Sequence, residues 1–300
     1  MDDAEAARSG GSTQGLRERL GAELFARVAG PDGPAVRQRI HGRPGPRWFG
    51  PERPIRTVHG DAAMFVGGLR ALLLQSLHPL AMAAVAAHSG FRSDPWGRLQ
   101  RTSTFLAVTT FGTAEDAQDA VKRVRAVHAR ISGTTAAGQS YRAGDPHLLG
   151  WVHAAEVDSF LRAHQAFGVA PLDPAGCDGY LADTARVASA LGVVDPPRNR
   201  AELAARLRAY GPELDATAQA RDTARFLLLH PPLPLPARPA YTALAGAAVS
   251  LLPPESRRLL GLPPTVPLLE PALVRPAGRA VVRLIRWAMA GPPPPQRRPD

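Results

Sequence analysis

His128 and the turn Gly97-Arg98-Leu99-Gln100-Arg101-Thr102 hold the residue types in this chain best suited to chemistry. His128 follows Val121 by seven residues and Val124 by four, and precedes Ile131 by three, so the four share one face of a 3.6-residue helix. Arg123, Arg125 and Arg130 fall largely on other faces. An imidazole pointing inward from such a basic helix is either an axial ligand for haem iron or a core histidine bonded to a backbone carbonyl. Arg98 and Thr102 are four residues apart and therefore neighbours, with Arg101 beside Thr102 and Phe105 extending the stripe. An inward Arg needs a counter-charge, which a haem propionate or an oxygen-derived ligand would supply. The alternative is that Arg98 or Arg101 bridges Asp94 or another surface acid.

Other candidates are thinner. His78 and His88 flank a helix rich in Ala81, Ala83, Ala84, Ala86 and Ala87, whose small side chains admit a neighbouring helix or a flat cofactor. With Phe91 they are candidate pocket-lining residues, although ten positions apart is not a same-face ligand spacing. His153 is a further inward candidate, while His41, His59, His147, His164 and His230 have no supporting context. The sequence lacks a GxSxG elbow, an HExxH pair, a Walker A loop and a dinucleotide GxGxxG after a strand. Cys177 is the only cysteine, which excludes an intramolecular disulfide and a CxxC metal knuckle.

The formal net charge of +10 suggests nucleic acid, but Lys122 is the only lysine and Arg is spread along the chain. An Arg-rich solvated surface accounts for this better than a DNA footprint, and no helix-turn-helix with a basic recognition helix is evident. The acidic start Met1-Asp2-Asp3 lacks the features of a signal peptide. The apolar stretch Leu69 to Val85 is interrupted by Arg70, Gln75, His78 and Pro79, so it reads as two buried helices meeting at a proline. The expectation is a cytoplasmic protein with no membrane span and no nucleic-acid partner. Its oligomeric state is left open.

Residues 1–15 are Gly/Ser-rich and are expected to be disordered, and helical periodicity starts at Gly15. Pro31 to Pro54 reads as an extended loop. Asp94-Pro95, Asp145-Pro146 and Asp173-Pro174 predict helix starts, because Asp can accept the free amides of a first turn and Pro there loses no hydrogen bond. Thr113 predicts a fourth start, and Gly112 and Gly133 predict stops around the His128 helix. Thr104 to Phe111 continues the phase of the Asp94 helix despite its β-type composition. Residues 230–239 are a Pro-rich breaker, Tyr241–Leu252 and Ala280–Met289 look helical, and residues 290–300 form a Pro/Arg-rich tail. No convincing alternating strand appears. The prediction is an all-α, single-domain helical bundle over residues 16–289.

Across residues 57–168, LLLQSLHPLAMAAVAAHSGFRSDPWGRLQRTSTFL, VHARISG and YRAGDPHLLGWVHA follow in order. In that order and spacing the chain resembles the MpaB-type oxygenases and the catalytic domain of rubber oxygenases (latex-clearing proteins). The resemblance implies an all-α fold enclosing haem b. It places the axial histidine at His128, the Arg-x-x-x-Thr pair near the haem at Arg98 and Thr102, and the adjoining basic position at Arg101. Relatives cleave C=C bonds of isoprenoids with dioxygen. The rubber-cleaving pattern has a glutamate upstream of the Arg-Thr turn, and here Leu77 to Gly90 contains no carboxylate. The expected activity is a haem-dependent oxygenase using dioxygen or peroxide on a small apolar substrate, isoprenoid or another secondary metabolite. The alternative is a non-catalytic haem-binding or sensor protein.

Overall fold

Helix starts follow the capping chemistry written in the sequence. The carboxylates of Asp94, Asp145 and Asp173 accept the backbone N–H groups of Gly97, His147 and Gly176 at 2.8, 2.8 and 2.6 Å. Thr113 Oγ1 accepts the N–H of Asp116, whose carboxylate in turn accepts the Thr113 hydroxyl. Each cap satisfies an amide that has no partner within its own helix.

The computed structural model describes residues 3–88, 93–135, 137–264 and 270–290, with side chains described from Gln14 onward, Leu16 excepted. In chain order the helices are α1 (Asp3–Ala29), α2 (Gly33–Gly42), α3 (Pro54–His59), α4 (Met64–Gln75), α5 (Pro79–His88), α6 (Pro95–Phe111) and α7 (Ala114–His128). They continue with α8 (Pro146–Phe167), α9 (Pro174–Leu191), α10 (Arg200–Tyr210), α11 (Ala218–Leu229), α12 (Arg238–Ser250), α13 (Pro254–Leu259) and α14 (Arg275–Met289). The protein is all-α and single-domain, as the periodicity predicted.

Three details differ from the sequence reading. The segment taken as a loop from Pro31 to Pro54 contains α2, because Pro34 stands in the first turn, where its missing N–H is harmless, and Ile40 is buried. A short antiparallel hairpin, β1 (Ser132–Thr134) with β2 (Ser140–Arg142), follows α7 and pairs Gly133 with Tyr141. Gly133 therefore lies in a strand, and α7 already stops at His128. The first helix starts at Asp3 instead of Gly15. Residues 291–300 and Phe91 lie outside the described residues.

Helices α4 and α8 cross at the centre. Gly67 makes this possible, since a Cβ there would stand 2.7 Å from the Phe160 ring. Around the crossing, Val66, Phe167, Ala247 and Val282 fill one side and Leu73, Leu77, Trp151 and Ala224 another. Ile55, Phe160, Tyr180 and Leu181 fill a third. Through this apolar centre runs one ion pair. Arg70, with no exposed surface, donates to Asp158 Oδ2 at 2.7 Å, Ser159 Oγ at 2.6 Å and the Leu251 carbonyl at 2.9 Å. Helices α4 and α5 meet at a 109° bend, and no single described helix is long and apolar enough to cross a membrane.

Removing Arg70 would leave buried Asp158 with the more exposed Arg162, whose Nε donates to it at 2.8 Å. Arg70→Met is therefore expected to lower unfolding stability by at most about 3–5 kcal/mol, the cost of a wholly unpaired buried charge. Adding Asp158→Leu to that variant should restore part of the loss. Denaturant titration checks both, and equal loss in the single and double variants would contradict the assignment.

Candidate functional site

Helices α6 and α7 are joined only by Gly112 and Thr113 and pack against each other as an antiparallel pair. Counting outward from that turn at 1.5 Å per residue brings His128 level with Gly97 and Arg98. Thr102 lies about one turn deeper. The predicted histidine and arginine thus both lie at the ends of α6 and α7 farthest from the joining turn.

His128 is half-buried on the face of α7 that carries buried Ala117, Ala120 and Val121, so it points inward as its spacing predicted. Burial lowers its pKa, which keeps the imidazole neutral at physiological pH. Its Nδ1 is buried without a hydrogen-bond partner among the described residues, whereas both ring nitrogens of His164 are in that condition. Arg98 is half-buried, and burial, followed by the charge of Arg101, makes its cation less favourable than usual. Arg101 instead reaches outward to Asp94 at 3.2 Å, the surface pairing that was its alternative reading. Thr102 is exposed, Phe105 half-buried and Thr109 buried, so their common stripe runs from an open end into the core. Two clefts of about 350 and 300 Å³ flank α7 and are lined by Val121, Lys122 and Arg125 and by Thr104, Asp116 and Arg123 respectively.

At the inner end of that stripe lies a polar group that the sequence reading did not assemble. His59 Nδ1 is 2.8 Å from the hydroxyl of Thr110, and its Nε2 is 3.3 Å from the hydroxyl of Tyr180. Its ring also meets Phe160 edge-on at 5.6 Å. Glu156 is one turn before Phe160 on α8, and its charge helps to raise the Tyr180 pKa, after burial itself. Burial alone pushes the Glu156 carboxyl up to about 7, although the residue retains some accessible surface. The same loss of solvent pushes His59 down to about 3, and burial with the charge of Arg206 pushes His153 down to about 4. The inward placement predicted for His153 is therefore observed, but its Nε2 is sealed without a partner among the described residues.

The signal for Glu156 was present locally: it stands three residues after His153 and four before Phe160, a carboxylate on an apolar face. His59 had no such signal, because its partners lie 51 and 121 residues away. His88 is exposed and stands 3.3 Å from the Tyr141 hydroxyl through Nε2. His78 belongs to a different corner of the molecule, with His147 and Glu213.

The Glu156 shift has a measurable consequence. Its native pKa lies above its ordinary value of 4.5, so the native state holds this proton more tightly than the unfolded chain. Stability from this group is full below pH 4.5, is lost as pH climbs to about 7, and changes no further. Glu156→Gln removes the dependence. The variant should gain on the wild type by at most about 3 kcal/mol between pH 4 and pH 8 in denaturant unfolding. An equal difference at both pH values would refute the shift.

Comparison with known proteins agrees with this architecture. "Uncharacterized protein Mb2261" of Mycobacterium bovis and "Uncharacterized protein Rv2237" of Mycobacterium tuberculosis are each 30% identical to this chain over 175 residues, covering 56% of it and 67% of themselves. No solved structure matches the chain. Residues 56–290, which include the α6–α7 hairpin and the Glu156 cluster, match one family throughout, so the chain belongs to the family described as "ER-bound oxygenase mpaB/B'/Rubber oxygenase, catalytic domain".

Proposed function

We propose that this chain is a haem b-dependent oxygenase acting on a small apolar substrate, isoprenoid or another secondary metabolite in class, with His128 as the axial ligand. The reading is supported by a half-buried His128 that burial keeps neutral and a half-buried Arg98, carried on two consecutive packed helices in a chain of an oxygenase family.

The residues fit such a group. An axial imidazole must be neutral and must be held in place, and His128 is the last residue of a packed helix. A propionate would provide the anion that burial makes favourable beside Arg98. Thr102 offers a hydroxyl on the same face, and Phe105 an apolar wall. Arg101 adjoins that face but is turned to Asp94. When bound, haem supplies the oxygen chemistry, with dioxygen or peroxide as oxidant.

A proton-handling group lies apart from that end of the helices, near the turn that joins α6 to α7. Glu156, titrating near 7, both holds and releases a proton at neutral pH, the condition in which a general acid or base works best. Tyr180, His59 and Thr110 form a hydroxyl–imidazole–hydroxyl line beside it.

Protein produced with ample haem is expected to show a Soret band that His128→Ala abolishes or shifts markedly. Arg98→Ala should weaken haem retention while leaving the band position unchanged. A correctly folded protein that stays haem-free would overturn the reading. Oxygen uptake with apolar alkenes and terpenoids then separates an oxygenase from a haem-binding sensor, which would consume none.

A further inference from the structure

Outside α6 and α7, three other elements bring two imidazoles and a carboxylate together. His78 lies in the α4–α5 corner, His147 in the first turn of α8, and Glu213 in a 3₁₀ turn, Gly211–Glu213, directly after α10. Glu213 Oε2 is 2.7 Å from His147 Nε2 and 3.3 Å from His78 Nε2, and Oε1 is 3.0 Å from His147 Nε2. One ligand atom from each residue lies within 4.8 Å of the other two.

The three groups are held by their surroundings. The Asp215 N–H donates to the Leu77 carbonyl at 2.8 Å, tying the Glu213 turn to the corner that carries His78. Asp145 caps α8 through the His147 N–H. The Tyr210 hydroxyl donates to the His147 carbonyl at 2.7 Å, and its ring lies 4.8 Å from the His147 ring. His78 is buried against Trp151 and Tyr210, while His147 and Glu213 remain open to solvent. Groups fixed in this way need little reorganisation to bind an ion.

We propose that His78, His147 and Glu213 form a site for one borderline divalent transition-metal ion of the Zn²⁺ class, with the solvent-facing fourth position left to water. Two imidazoles and one carboxylate favour such ions over Mg²⁺, which prefers oxygen ligands. A tetrahedral ion with bonds of about 2.0–2.2 Å holds its ligand atoms roughly 3.3–3.6 Å apart, close to the present His78–Glu213 distance and a little wider than the His147–Glu213 one. Three protein ligands with one open position is the arrangement of reactive zinc sites, not of sealed structural ones. The bound ion would also join the α4–α5 corner, the start of α8 and the end of α10. None of its ligands lies on α6 or α7, so this site stands or falls independently of the haem reading.

The experiment uses full-length, tag-free protein freed of metal by chelator and titrated with Zn²⁺ and, separately, Co²⁺ and Mg²⁺. Calorimetry should give one Zn²⁺ per chain. Co²⁺ should give visible absorption of a low-coordinate site, and thermal unfolding should move up by a few degrees with Zn²⁺ but not with Mg²⁺. The surface variants His147→Ala and Glu213→Gln should each weaken Zn²⁺ binding by at least about tenfold. His128→Ala should leave it unchanged. Absence of one-to-one binding, or binding that persists at full strength in both surface variants, would overturn the proposal.

Discussion

Much of this fold is organised by where one buried charge can find its partner. Arg70 lies in the centre of the molecule with no exposed surface, and desolvating a guanidinium costs several kcal/mol unless the cation is well paired. Asp158 and Ser159 must therefore stand opposite Arg70, and this fixes both the register and the rotation of α8 against α4. The two helices run antiparallel: Gly67 faces Phe160, and Gln75 bonds to Val152 and Trp151 through its amide and carbonyl. The corner after α4 is thereby delivered to the start of α8, which is how His78 comes beside His147. With Asp158 turned to α4, Glu156, two residues earlier, points close to the opposite direction, toward α3 and α9. One ion pair thus sets the facing of two separate groups of polar side chains.

Those side chains are tuned by the same physical cause acting on opposite charges. Loss of solvent disfavours the ionised form, so histidines become weaker bases and carboxyls weaker acids. His59 and His153 are neutral across the physiological range, while Glu156 is left close to neutrality. Thr110 and Tyr180 satisfy both nitrogens of His59, which limits the cost of burying it. Glu156 has no comparable set of partners. A carboxyl in that state costs stability near neutral pH, and such local conflicts concentrate where a fold serves chemistry.

What the sequence made legible was local. Caps at Asp94, Thr113, Asp145 and Asp173 announce themselves within four residues, and the periodicity of Val121, Val124 and His128 shows which way the histidine faces. What stayed hidden depended on distance. Arg70 read as an interruption in an apolar run, because nothing near it reveals a partner 88 residues later. His147 and Glu213, 66 residues apart, have no common motif. The α2 helix was concealed by a different effect: Pro34 looks like a breaker in composition, but at the second position of a helix it is neutral. The hairpin of β1 and β2 has three residues per strand, too few for alternation to register.

That short hairpin also explains how a helix-terminal residue such as His128 can be held in place. The last turn of a helix frays unless something beyond it is tied down. After His128 the chain turns at once, with the Ile131 N–H donating to the His128 carbonyl and the Ala143 N–H to the Ile131 carbonyl. The paired strands then place Tyr141 in a small apolar cluster with Ala83 and Leu148. The Tyr141 hydroxyl adds a contact with His88 at the end of α5. The end of α7 is consequently anchored to α5 and to the first turn of α8, the same two elements that the Arg70 register positions. His128 closes α7, and its orientation is set by contacts on both sides of it in the chain.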